Sequence, residues 1–360
     1  MFYHIFYPLS EYFFIFNIFK YITFRGGCAF ITSFFIIMLL WKFTLKKLKS
    51  LEVIEKIDMY GHVHLEKIYQ NKKGTPTMGG VLIIFSIIIS TLLWTRWNCS
   101  LMWLSFFIII SLGLLGLVDD FKKLKKGRGL SRTKKLIFQI IIGLILGILI
   151  SVNKNLSTKL HFPFFKNFVL ELGYFYLLWS ALIIVSTSNA VNFTDGLDGL
   201  AMGGIITNTV VFAFVSYLSG HINFANYLFI PYIRDAGELV VFILSLAGAC
   251  LGFLWFNSYP AEIFMGDVGS LALGGIIGAI ALFIKKEFLL FISGGLFVVE
   301  AISVILQILS VKLRGKRLFL AAPLHHHFQI LGWKESKITI RFWIFSIICG
   351  VVAILTIKLQ

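Results

Sequence analysis

The chain of 360 residues is 58% hydrophobic and only 14% charged, yet it carries a formal net charge of +16. Soluble domains sit near half apolar and a quarter charged, so these proportions exclude one and point to an all-α polytopic membrane protein. The basic excess needs no nucleic acid to explain it, because lysines and arginines gather beside membrane spans.

Along the chain, the opening stretch MFYHIFYPLSEYFFIFNIFKYI has no basic leader and no small-residue cleavage site. It is expected to form an uncleaved helix over residues 1–23, lying at the membrane interface. A bilayer core takes about 20 apolar residues per helix. Runs of that kind predict ten spans, near 24–45, 78–95, 101–118, 136–152, 172–191, 200–219, 238–256, 270–284, 288–311 and 341–358. Of the 33 basic residues, 8 lie between Lys42 and Lys73, 8 between Lys122 and Lys135, and 7 between Lys312 and Arg341. With ten spans these three loops share a side, which the positive-inside rule makes cytoplasmic, with both termini outside in the periplasm. The whole chain, 1–360, reads as one membrane domain with cytoplasmic loops near 46–77, 119–135, 192–199, 257–269 and 312–340. Cys28, Cys99, Cys250 and Cys349 are scattered and imply neither a disulfide framework nor a zinc site.

The informative polar residues fall in those same loops, while the outer loops show almost no clustered ionisable groups. Asp119 and Asp120 close the third apolar run. Acids at a helix C-terminus oppose the macrodipole, so the pair asks for lysines or a divalent cation. Asn189, Asn192 and Asp195 in "SNAVNFTDGLDG" recur every three residues and share a helix face, with Asp198 following between glycines. Asp267 in "FMGDVGS" stands ahead of the eighth run, as an N-cap or as a ligand of Mg²⁺. Magnesium suits a few carboxylates shared with substrate phosphates and water. "NKKGTPTMGG" is no Walker loop, yet it places Lys72, Lys73, Thr75 and Thr77 at a helix start, where backbone N–H groups favour anions. His325, His326 and His327 follow Pro323. In an extended chain His325 and His327 would face together and His326 oppositely, as imidazoles suited to phosphate. Glu300, Ser303 and Gln307 share one face of the ninth run and should turn inward.

"GTPTMGG", "VDDFKK", "NAVNFTDGLDGLA", "FMGDVGSLALGG", "APLHHHF" and "RFWI" together resemble the phospho-N-acetylmuramoyl-pentapeptide transferase family. That family is a branch of the polyprenyl-phosphate N-acetylhexosamine-1-phosphate transferases, and the likeness runs from about residue 20 to the C-terminus. It implies a ten-helix, Mg²⁺-dependent homodimer of the bacterial inner membrane with its active site facing the cytoplasm. The implied reaction moves phospho-MurNAc-pentapeptide from UDP-MurNAc-pentapeptide to undecaprenyl phosphate, giving lipid I and UMP. Carried over by position, Asp119, Asp120 and Asp267 become catalytic and metal-holding residues. Asn192, Asp195, Asp198, Asn257 and Phe264 fall in the uridine-diphosphate site, Lys72 and Thr77 near the nucleotide end, and the histidine triplet in the substrate-handling loop. Two features depart from the family. Gln329 replaces an acid, and "YGHVHLEKIYQNKK" replaces a shorter G-P-x-x-H lead, which leaves His62 and His64 without a role. A direct transfer and a phospho-enzyme both stay open. The rival readings are a sister transferase using UDP-GlcNAc and, further off, a secondary transporter, whose sites would lie at the membrane midplane.

Overall fold

In the computed structural model, residues 1–50, 53, 72, 74–162 and 169–357 are described. His62, His64 and Lys73 lie outside them. The apolar runs become helices: α1 (Phe2–Phe6), α2 (Ile22–Ser50), α3 (Gly80–Trp94), α4 (Ser100–Lys126), α5 (Arg132–Val152), α6 (Tyr176–Thr194) and α7 (Leu200–Ser219). They continue as α8 (Ile222–Leu228), α9 (Ala236–Asn257), α10 (Gly266–Phe283), α11 (Glu287–Ser293), α12 (Gly295–Arg314), α13 (Leu324–Ile330) and α14 (Glu335–Thr356). Among the described residues nine helices are long and apolar enough to cross a membrane, and the 15-residue α3 is a shorter tenth. The expected all-α polytopic architecture holds. The one sheet among the described residues is a small hairpin, β1 (Lys159–His161) with β2 (Val169–Glu171), between α5 and α6.

Several boundaries differ from the sequence reading. The N-terminal stretch is not one helix. After α1 it continues as two 3₁₀ stretches, Pro8–Glu11 and Phe14–Lys20, separated by an extended Phe13. Pro8 has no N–H to give the preceding turn, so a continuous ladder breaks there. The segment is held by Met1, whose ammonium donates to Leu92 O at 2.7 Å, and by Phe2 and Phe19, which pack on Trp94. The ninth run is split at Gly294 into α11 and α12. The fourth helix, α4, does not stop at Asp119 and Asp120. It runs two further turns to a left-handed Gly127, the conformation a glycine C-cap takes most readily.

α10 is the hub, buried along nearly its whole length. Small residues let neighbours touch its backbone. A Cβ at Gly80 of α3 would overlap Gly269, and one at Gly116 of α4 would overlap Asp267. This is the packing expected where van der Waals contact, not hydrophobicity, holds helices together in lipid. It presses the N-terminus of α10 against α4 one turn before Asp119 and Asp120.

The opposite end of the bundle is not poor in ionisable clusters. Arg25 pairs with Glu238, which also takes Arg96 at 3.0 Å. Lys285 donates to Tyr176 at 2.7 Å beside the buried Glu287. Burial pulls both Lys285 and Glu287 toward their neutral forms. The partners are separated by up to 213 residues, so no local pattern announces them.

Candidate active site

Asp119, Asp120 and Asp267 converge, each offering an oxygen within 4.8 Å of the others. α4 places the first two one turn beyond the Gly116 contact, and α10 brings the third in its first turn. Asp267 is not an N-cap. That position is Met265, and the Asp267 carboxylate turns sideways into the cluster. The Lys123 ammonium reaches all three acids, at 3.0 Å from Asp119, 3.4 Å from Asp120 and 2.9 Å from Asp267. Lys135, at the start of α5, lies 2.6 Å from Asp267 and 3.8 Å from Asp119. Because α4 continues, Lys123 sits one turn after the aspartates and relieves them within the same helix.

Backbone amides hold the acids as well. Leu130 N donates to Asp119 Oδ1 at 2.5 Å, and Val268 N to Asp120 Oδ2 at 3.2 Å. Asn192 donates to Asp267 Oδ1 and to Ser270 Oγ, both at 2.8 Å. Asn189 turns away to Gln139 on α5, so the expected shared face divides between packing and site. Gly266 is left-handed at φ +72°, and a Cβ there would stand 2.7 Å from Asp120 Oδ2 and 3.0 Å from Thr77 Oγ1. Thr77 therefore neighbours the acid cluster. The start of α3 is not an open anion site, since Gly79 N and Gly80 N already donate to Phe264 O and Met265 O.

With all three carboxylates ionised, the two ammoniums leave this centre a formal charge of −1. An all-oxygen donor set, already gathered around a cationic Lys123, fits Mg²⁺. A phosphate approaching it without a further cation would meet repulsion.

A second cluster lies on the same end. Lys72 bridges Asp198 at 2.5 Å and Glu335 at 2.6 Å, and Ala261 N donates to Asp198 Oδ2 at 2.9 Å. Asn257 accepts from Gly199 N and donates to Ile263 O, so it fastens the Asp198 loop to the loop carrying Phe264. The Lys72 ammonium stands 5.8 Å from the centre of the Phe264 ring. Asp195, half-buried at the C-cap of α6, opens that same loop.

The histidines form a third group. They lie on α13, not in an extended strand, so the expected pairing of His325 with His327 does not occur. His325 and His326 instead lie buried with ring centres 4.1 Å apart, and His327 accepts from Leu320 N. Glu300 of α12 builds this turn by accepting from Leu324 N at 2.7 Å and His325 N at 3.2 Å. His326 Nδ1 lies 2.8 Å from Gln329 Oε1. Burial, with His325 and Lys72 adding, pushes His326 down to about 3, so its neutral form is the working one. His325 Nε2 rests on Gly196, in the loop between Asp195 and Asp198.

Three residues escaped sequence reasoning: Lys123, Lys135 and Glu335. Continuing α4 through "DDFKK" would have found the first. Nothing local marks the other two.

The model described as Glycosyl transferase family 4 matches residues 101–285, half of the chain. The class is thus that of membrane-embedded glycosyl transferases of family 4. The pattern described as Phospho-N-acetylmuramoyl-pentapeptide-transferase signature 1 matches residues 72–84. Curated relatives named phospho-N-acetylmuramoyl-pentapeptide-transferase include those of Desulfotalea psychrophila and Citrifermentans bemidjiense. Each is 47% identical over 100% of both chains, and that of Pelagibacter ubique is 48% identical over 98%. The chain belongs to the phospho-N-acetylmuramoyl-pentapeptide-transferase family.

Proposed function

We infer that the chain transfers phospho-N-acetylmuramoyl-pentapeptide from its UDP carrier to undecaprenyl phosphate, giving lipid I and UMP. The observation that carries this reading is the three-carboxylate centre on the same end of the bundle as the separate Lys72–Asp198 cluster, in a chain alike over its full length to such transferases. The lipid phosphate oxygen forms a new bond to the β-phosphorus of the donor, and the bond from that phosphorus to the bridging oxygen breaks, releasing UMP. The acceptor is already largely ionised near neutral pH, so little base catalysis is required.

Asp119, Asp120 and Asp267 are the residues to hold Mg²⁺, which would supply neutralisation of phosphate charge and alignment of attack. Lys123 and Lys135 add fixed positive charge at the same place. Burial and the nearby Asp267 raise the pKa of both Asp119 and Asp120, that of Asp120 to about 7. Lys123 and a backbone amide on an oxygen of each work the other way, and a bound cation would restore their anionic forms. The Asp198–Phe264 cluster takes the uridine, with the Phe264 face offered to the base. Choice of the muramoyl donor falls to the segment carrying α13 and to the start of α14, where Arg341 and Lys337 lie over Trp333 at 4.4 and 5.3 Å. Basic groups there suit the carboxylates of a lactyl-peptide arm. The positive-inside pattern supports a cytoplasmic site. The resemblance supports a homodimer.

Purified enzyme supplied with undecaprenyl phosphate and either UDP-MurNAc-pentapeptide or UDP-GlcNAc tests the reading. Efficient transfer from the first and little from the second is expected. Equal or faster turnover with UDP-GlcNAc would assign the chain to the sister branch.

A further inference from the structure

Glu335 opens α14 and takes no part in the three-carboxylate centre. Its Oε1 accepts from Lys72 Nζ at 2.6 Å and from Asp198 N at 2.8 Å. One buried oxygen thus joins three chain segments that are far apart in sequence. Asp198 grips the same ammonium with Oδ1, and Thr339, one turn along α14, donates to Asp198 O at 3.4 Å.

Among the described residues, and with both acids ionised, two carboxylates on one ammonium give this cluster a formal charge of −1. As a device for stability alone the arrangement is poor, because the second acid adds desolvation and repulsion. A diphosphate would also be repelled. What the cluster matches is a neutral group offering N–H or O–H, as a pyrimidine base and a ribose do. A base stacking on Phe264 must share that neighbourhood with the Lys72 ammonium, 5.8 Å from the ring centre.

We propose that Glu335 is a positioning residue of the nucleoside subsite. It holds Lys72 beside Phe264, 5.8 Å from the ring centre, and fixes the Asp198 loop, so that a pyrimidine nucleoside is received next to both. This rests on the assignment of the Asp198–Phe264 cluster to uridine.

Glu335→Gln keeps the shape and an acceptor oxygen but removes the charge. KM for UDP-MurNAc-pentapeptide and the inhibition constant of UMP should each rise about tenfold, with kcat and KM for undecaprenyl phosphate changed by less than about threefold. Glu335→Asp should recover part of the loss. Lys72→Ala is the companion variant, and melting curves in detergent confirm that all are folded. If Lys72→Ala weakens UMP and Glu335→Gln does not, the role of Glu335 is refuted while the uridine assignment stands. If neither moves UMP, the assignment itself fails, and the inference with it. A fall in kcat with both KM values altered together would mark Glu335 as structural and overturn the proposal.

Discussion

Replacing Gly266 by alanine should damage chemistry more than stability. The added methyl would stand 2.7 Å from Asp120 Oδ2, 3.0 Å from Thr77 Oγ1 and 3.1 Å from Met78 N. Carbon–oxygen contacts settle at about 3.3 Å, so the Asp120 carboxylate must retreat by roughly 0.6 Å. It cannot simply rotate away, because Val268 N holds its Oδ2. The left-handed φ of +72° adds about 1–2 kcal/mol of backbone strain. Misplacement by 1 Å at a reacting centre costs on the order of 100-fold, so a fall in kcat of about 10- to 50-fold is expected. Gly127→Ala separates the two effects, since Gly127 is left-handed at φ +68° with nothing within 4 Å of the added methyl. It should lose similar stability with less than about a twofold change in turnover. Lipid I formation in detergent micelles, measured beside melting curves, gives both quantities. Equal losses of turnover in the two variants would refute the claim that Gly266 shapes the acid cluster.

Asp119→Asn, Asp120→Asn and Asp267→Asn should each cut turnover by about two orders of magnitude or more without unfolding the enzyme. Magnesium titrations should shift most for Asp267→Asn, and near-normal metal dependence there would exclude it as a ligand. Alanine at His325, His326 and His327 together should abolish lipid I formation, with a cooperative melting curve in detergent showing that the membrane fold is intact. Single cysteines at Gly315 and Asn155 should label from opposite sides of the membrane, the first from the cytoplasm. Labelling of Gly315 from outside would reverse the orientation. His326, held near 3 against an ordinary 6.5, takes up its proton only on unfolding. The stability it confers is present above about 6.5 and is lost as pH falls toward 3. Melting temperature should therefore drop more steeply over that range for the native protein than for His326→Gln, and parallel curves would contradict it.

The membrane spans were legible because a bilayer demands length and apolarity together, and the five polar loops were legible because span parity sorts them to one side. The acid triad could be nominated residue by residue for the same reason. Where the reading failed, contacts from afar decide the local structure. "DDFKKLKK" looks like a loop by charge, yet charged residues propagate a helix well once it has left the lipid. The histidines looked extended after Pro323, but Glu300 accepts two amides 24 and 25 residues further on and so stabilises a turn of helix. Lys135 and Glu335 carry no pattern of their own. Each becomes meaningful only when α5 or α14 is set beside the loop it meets.

The burial of α10 divides the molecule mechanically. A helix touched backbone to backbone by α3 and α4, and continuous at its far end with the buried Lys285 and Glu287, has no room to slide or rotate. Asp267 thus sits on a fixed post. Accommodation of donors differing in bulk would fall to the rim, where α13 meets α12 through Glu300 and the Asp198 loop through His325. Inhibitors that engage the rim would have to choose among its shapes. Those that reach the post would meet the same surface every time.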